Sequence, residues 1–164
     1  RSYDGTRAAD HTGGGIDGKL RLFLTKNNED YFPNLRKLIK SLQKKDIYKK
    51  ISDYLNKDLE NSYVRLELIG DKKGFWLKPH KDIEEKLMTM MIWCNPFNEP
   101  KNLGTDLYND KFEVVKTIKY ENNCGYFFSS GQDTWHGLEK KQIIKERRCI
   151  QINYVTFKTD FPVE

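Results

Sequence analysis

The 164-residue chain reads as a mainly β protein with N-terminal helices, a double-stranded β-helix (jelly roll) buttressed by about two helices. Three observations carry that reading. Apolar residues recur at three- and four-residue spacing only between positions 27 and 61. About eight short strand-like runs follow, separated by turn residues. No helical pattern interrupts those runs, which argues for an antiparallel sandwich or barrel rather than parallel βαβ units.

The length suits one domain spanning 1–164 and is enough to bury a core. Residues 1–26 read as loop and a short strand, 27–61 as helical support, and 62–157 as the jelly-roll core. Residues 1–18 hold five glycines and two arginines, so they predict a loop, with a flap over a site as one use for it. Lys19 to Leu24 mixes apolar and basic residues over a short strand. Leu35, Leu38, Ile39 and Leu42 form one apolar stripe of a first helix. A second helix opens at Asp46 as N-cap and carries Ile47, Ile51, Tyr54 and Leu55 on one face. Tyr63 to Ile69 is a strand, Asp71 to Gly74 a turn, Phe75 to Lys78 extended, and Lys86 to Trp93 a strand. Asn95 to Gly104, with two prolines, is a loop. Further strands are expected near 105–108, 112–119, 125–129 and 148–157.

Composition narrows the partners. Net charge is +5, from 29 basic and 24 acidic residues. The lysines gather at 37–50 and 140–145 but are interleaved with other residues, as on a solvated surface; no nucleic-acid partner is expected. No run approaches the roughly 18–20 apolar residues of a membrane span, and the polar, Gly-rich start is unlike a signal peptide. The chain begins at Arg1 rather than Met, as a fragment or trimmed chain would. Cys94, Cys124 and Cys149 make no CxxC pair, so reduced thiols and a cytoplasmic location are expected. Oligomeric state is left open.

Two of the three histidines stand in suggestive places. His80 and Asp82 are two residues apart, so an extended chain turns both to one side. His136 lies far downstream, where it can close a set of two imidazoles and one carboxylate. That set suits non-haem Fe(II) oxygenases, leaving coordination positions open for cosubstrate and oxygen. Eleven residues beyond His136 an alternating run begins. Arg147, Cys149, Gln151 and Asn153 share one face; Arg148, Ile150, Ile152 and Tyr154 share the other. Only one of Arg147 and Arg148 can face inward, where a guanidinium would clamp a carboxylate.

Together these residues resemble the 2-oxoglutarate/Fe(II) dioxygenases, and within them the prolyl 4-hydroxylase-like branch. The segment from Gly74 through His80 and Asp82 to Lys86, Thr89 and Trp93-Cys94-Asn95 is similar to that branch around its HxD motif. Gly104-Thr-Asp-Leu107-Tyr108 is similar to its Gly-Gly-x-Leu turn, and Gly125 to Ser130 with Trp135-His136-Gly137 to its approach to the distal histidine. The likeness spans about 62–157. It implies Fe(II) on His80, Asp82 and His136, with 2-oxoglutarate and O2 as cosubstrates and ascorbate as a supporting reductant. It implies Arg147 for the far carboxylate, with Arg148 as the alternative, and Thr89, Trp93 and Cys149 beside the cosubstrate. Cys149 stands where relatives carry Ser, and Thr105 where they carry the second Gly. The implied reaction hydroxylates an unactivated C–H bond, of a peptidyl proline or of a small metabolite such as an amino acid, sugar or lipid precursor. Arg7, Trp76, Tyr108 and Trp135 are candidate substrate-lining residues. Three competing readings remain: a non-enzymatic cupin-like jelly roll, a nucleic-acid demethylase, and a halogenase. The demethylase branch carries a second Arg six residues after the first, where this chain has Asn153 or Tyr154. Halogenases lack the carboxylate that Asp82 provides.

Overall fold

The computed structural model describes residues 18–164. Its elements run β1 (Lys19–Phe23), α1 (Pro33–Leu42), α2 (Lys45–Leu55), β2 (Tyr63–Lys72), β3 (Leu77–His80), β4 (Lys86–Cys94), β5 (Asp106–Tyr108), β6 (Val114–Thr117), β7 (Gly125–Phe128), β8 (His136–Leu138) and β9 (Glu146–Val155), with short 3-10 turns at Glu29–Tyr31 and Lys101–Leu103. Two antiparallel sheets form, a five-stranded one ordered β1-β2-β9-β4-β7 and a four-stranded one ordered β3-β8-β5-β6. This is the expected jelly roll with its two helices.

Both helices are amphipathic and lie on one face of the larger sheet. Ile39, Leu42 and Tyr48 pack with Val64, Leu66, Met88, Ile152 and Tyr154. The Tyr154 hydroxyl donates to the Leu42 carbonyl at 2.6 Å, satisfying a carbonyl that the end of α1 would otherwise leave open. Pro33 opens α1, where its missing N–H costs nothing. Lys44, not Asp46, occupies the cap of α2 and makes no side-chain cap. Asp46 instead sits in the first turn, where its carboxylate complements the helix dipole.

The period-two alternation of the strands sends every second residue the other way. On that opposite face Ile69, Met91, Trp93 and Cys149 meet Phe75, Leu103, Tyr120 and Leu138 in a second core between the sheets. Polar groups share this interior: Arg65, Glu67, Asp71, Thr89, Arg147, Gln151 and Asn153 are all buried. Asp71 belongs to β2, paired with Arg147 of β9, rather than to a turn. The ladder with β9 carries β2 on to Lys72, so local turn chemistry is overridden. The three-residue β8 was not anticipated; so short a strand has too few residues to show a period.

Glu99 and Asp106 fix two of the connections between strands. Glu99 accepts three backbone N–H bonds, from Ile144, Lys145 and Glu146, which sets where β9 begins. Those bonds hold the Glu99 carboxyl below its ordinary range, against the opposing effect of burial. Asp106, fully buried, accepts from Thr117, the Glu139 N–H and Lys141.

Candidate metal centre and its cavity

The sheets open into a cavity of about 330 Å³. His80, Asp82 and His136 meet in its wall, with one ligand atom from each lying within 4.8 Å of the others. The two imidazoles come from paired strands: His80 of β3 lies opposite His136 of β8, with ring centroids 4.3 Å apart. A register shift between Leu77 and His80 re-aims the end of β3. Asp82 lies beyond the end of that strand, so strand alternation alone does not place it.

Each histidine is oriented by a backbone carbonyl. His80 Nδ1 lies 2.9 Å from the Lys78 carbonyl, and His136 Nδ1 lies 2.9 Å from the Thr134 carbonyl. A carbonyl only accepts, so Nδ1 carries the proton and the Nε2 lone pair is left for a metal. Burial, reinforced for His80 by His136, pushes the pKa of His80 down to about 4 and that of His136 below its usual value. Neutral imidazole is the ligating form, so no proton has to be displaced near neutral pH.

Asp82 is held from β4. Thr89 Oγ1 donates to Oδ2 at 2.6 Å and Lys86 Nζ to Oδ1 at 2.7 Å. Burial opposes ionisation of Asp82, but Lys86, His136 and these two hydrogen bonds outweigh it and keep the carboxyl well below the usual range. Behind Thr89 lies fully buried Asn153. Its Oδ1 accepts from Arg65 at 3.0 Å and Gln151 at 3.1 Å, and its Nδ2 donates to Thr89 at 2.8 Å. Arg is only a donor, so the Asn153 amide can point just one way. The Thr89 hydroxyl, already an acceptor, must then donate to Asp82. A directional chain from Arg65 therefore leaves the Asp82 carboxylate as its terminal acceptor.

Arg147 lines the same cavity and is buried, whereas Arg148 points away and pairs with Glu146. Arg147 Nη1 donates to Asp71, and Nε donates to the Leu103 carbonyl at 2.5 Å; Nη2 meets no acceptor among the described residues. Asp71 keeps the guanidinium pKa raised despite burial. Its fork is thus fixed in place. Cys149 and Thr89 line the cavity, the thiol neutral because burial pushes its pKa up to about 12. Trp93 lies behind the wall, its ring 4.7 Å from the Arg147 guanidinium carbon, and its buried Nε1 has no partner among the described residues.

Trp76, Tyr108 and Trp135 do not line this cavity. Trp76 packs under Lys140, Tyr108 is buried in β5, and Trp135 packs with Phe112 and Lys81. Arg7 lies outside the described residues. Sequence reasoning assigned no role to Tyr126, Asp71 or Asn153. Tyr126 lines the cavity and donates to Thr105 Oγ1 at 2.9 Å. The face shared by Arg147 and Asn153 was legible; the burial that makes Asn153 a node was not.

Two consequences follow for measurement. A Cβ on Gly137 would lie 2.6 Å from the Leu77 carbonyl and 2.9 Å from that of Lys78, the oxygen that orients His80. Gly137→Ala is expected to weaken metal binding about 10–100-fold, the usual cost of losing a group that orients a ligand, as read by Mn(II) titration. The depressed His80 pKa also sets a pH dependence. Below about pH 6.5 the unfolded chain takes up a proton that the folded metal-free protein refuses, so stability falls as pH drops from about 6.5 to about 4. Urea midpoints across that range should fall less in His80→Gln.

No family model and no curated protein matches the sequence. Solved structures do match. A Pseudomonas putida prolyl-4-hydroxylase superposes with a TM-score of 0.60 at 13% identity, over 86% of this chain and 73% of that one. A prolyl hydroxylase from Trichoplax adhaerens, solved with a hypoxia inducible factor peptide, aligns at 19% identity and a TM-score of 0.46, over 56% of this chain and 43% of that one. The chain thus shares the fold of the P. putida structure. Within that fold class it carries a His-Asp-His cluster able to hold a metal ion.

Proposed function

We propose that this protein is an Fe(II)- and 2-oxoglutarate-dependent oxygenase that hydroxylates an unactivated C–H bond. The observation that carries the reading is the convergence of His80, Asp82 and His136 in one cavity whose wall also presents Arg147. Two imidazoles and one carboxylate fit Fe(II) and leave room in its coordination sphere. The Arg147 guanidinium, which lines the cavity with Nη1 and Nε already engaged, fits the far carboxylate of a dicarboxylate cosubstrate through Nη2. Bound iron and 2-oxoglutarate would supply the oxidising chemistry, with succinate and carbon dioxide as the cosubstrate's products.

The chain's own residues bind, orient and exclude water. Lys78 and Thr134 carbonyls set the imidazole tautomers. Lys86 and Thr89 hold Asp82 ionised. Asp71 and Leu103 fix the fork of Arg147, and Ile69, Phe75, Leu77, Met91 and Leu138 keep the cavity largely apolar. The hydroxyl acceptor is a prolyl residue or a small metabolite; the name of the P. putida structure favours the first, the limited cavity the second.

The test is ligand-linked stability followed by turnover. Mn(II) with 2-oxoglutarate, binding only the folded state, should stabilise it by about 2.7 kcal/mol at a hundred times Kd. Fe(II)-dependent succinate formation should then appear with a suitable acceptor. An unchanged melting temperature, or a shift that persists in His80→Ala, would favour a binding jelly roll without this chemistry.

A further inference from the structure

We propose that the substrate of this site is a small molecule bearing an anionic group, a carboxylate or a phosphate, recognised at the cavity rim by Lys19 and Lys81. This deepens the oxygenase reading and rests on it. Among the described residues five cationic side chains line the cavity: Lys19, Arg21, Lys81, Lys86 and Arg147. Three have carboxylate partners. Arg147 pairs with Asp71, Lys86 with Asp82 at 2.7 Å, and Arg21 with Glu67 at 2.5 Å. Lys19 and Lys81 meet no carboxylate among the described residues.

Both ammonium groups are nonetheless held in place. Lys19 Nζ lies 5.7 Å from the centre of the Phe75 ring, and Lys81 Nζ lies 4.8 Å from that of Trp135. Trp135 is itself braced edge-on by Phe112, with centroids 4.9 Å apart. Phe112 has a φ of 60°, a left-handed conformation rarely adopted by a bulky residue. An aromatic face positions a cation without neutralising it. Among the described residues, the rim therefore carries two ammonium groups held against aromatic faces and paired with no carboxylate.

Loading the site does not remove this surplus. Iron brings two positive charges and 2-oxoglutarate two negative ones, so the excess persists when both are bound. A cleft of one sign with apolar walls focuses its field on an incoming anion. The cavity of about 330 Å³ lies at the small end for ligand sites and must be shared with the cosubstrate, which favours a small acceptor over a chain.

Calorimetric titration of the intact protein, saturated with Mn(II) and 2-oxoglutarate, tests this with glycerol phosphate, butyrate and glycerol as probes. At least one anion should bind, more weakly at high salt, and glycerol should not. The Lys19→Gln/Lys81→Gln variant should lose about a hundredfold in anion affinity, roughly tenfold per lysine, while holding Mn(II) and 2-oxoglutarate as the parent does. The arm that binds tells phosphate from carboxylate. Equal binding of glycerol, or anion binding unchanged in the double variant, overturns the proposal. So does an oligoglutamate peptide that binds where neither small anion does, since it assigns the lysines to a polypeptide partner. Absent binding of Mn(II) and 2-oxoglutarate, with a lysine-dependent anion response intact, overturns the oxygenase reading and leaves the anion site standing.

Discussion

Asp71→Ala is expected to destabilise the protein by about 3–5 kcal/mol, the usual cost of stranding one member of a buried ion pair. Asp71 is 1% exposed and Arg147 4%, so both charges are buried against each other. The loss should appear as a lower urea midpoint with an unchanged slope. Asp71→Leu combined with Arg147→Met should recover much of it, because removing both charges leaves neither one stranded. The same pair separates stability from binding. Under the proposed function, Arg147→Met alone would remove a charged hydrogen bond to the far carboxylate of 2-oxoglutarate and should raise its Kd about 10–100-fold. If Arg147→Met binds 2-oxoglutarate as the parent does, Asp71 is a purely structural partner and the carboxylate is held elsewhere.

That pair also shows how far the sequence could be read. The alternation from Arg147 to Val155 placed Arg147 on the opposite face from Arg148 without saying which faces inward; in the structure Arg147 is buried and Arg148 exposed. Asp71 was read as turn because Asp, Lys and Gly nearby favour turns locally. Its inclusion in β2 depends on β9, 76 residues away, and no local pattern records that pairing. The same limit applies to Trp135 and Tyr108. Each is close in sequence to a feature of the site, but Tyr108 is buried elsewhere in β5 and Trp135 packs against Phe112 and Lys81 outside the cavity lining. Lys86 carries a further lesson. Its place four residues after Asp82 was visible, yet its burial against that carboxylate follows only from the way β4 runs beneath the metal cluster.

Lys86 makes Asp82 the most sensitive position in the site. The Asp82 carboxylate already accepts one hydrogen bond on each oxygen, from Lys86 and from Thr89, and each oxygen retains a second lone pair for a metal. A dication and an ammonium can share that carboxylate only while it is ionised. In Asp82→Asn the shape persists but the negative charge does not. The Lys86 ammonium then stands unneutralised beside the position the metal would take, and repulsion adds to the lost ligand. Metal affinity should fall well beyond the roughly 10–100-fold expected for the orienting groups, and acceptor-dependent succinate formation should become undetectable. Adding Lys86→Met to Asp82→Asn removes the repulsion without restoring the ligand. Mn(II) affinity in the double variant should lie above the single variant and below the parent. Equal affinity in single and double variants would mean that Lys86 exerts no field at the metal position. Parent-like affinity in Asp82→Asn would remove Asp82 from the ligand set altogether.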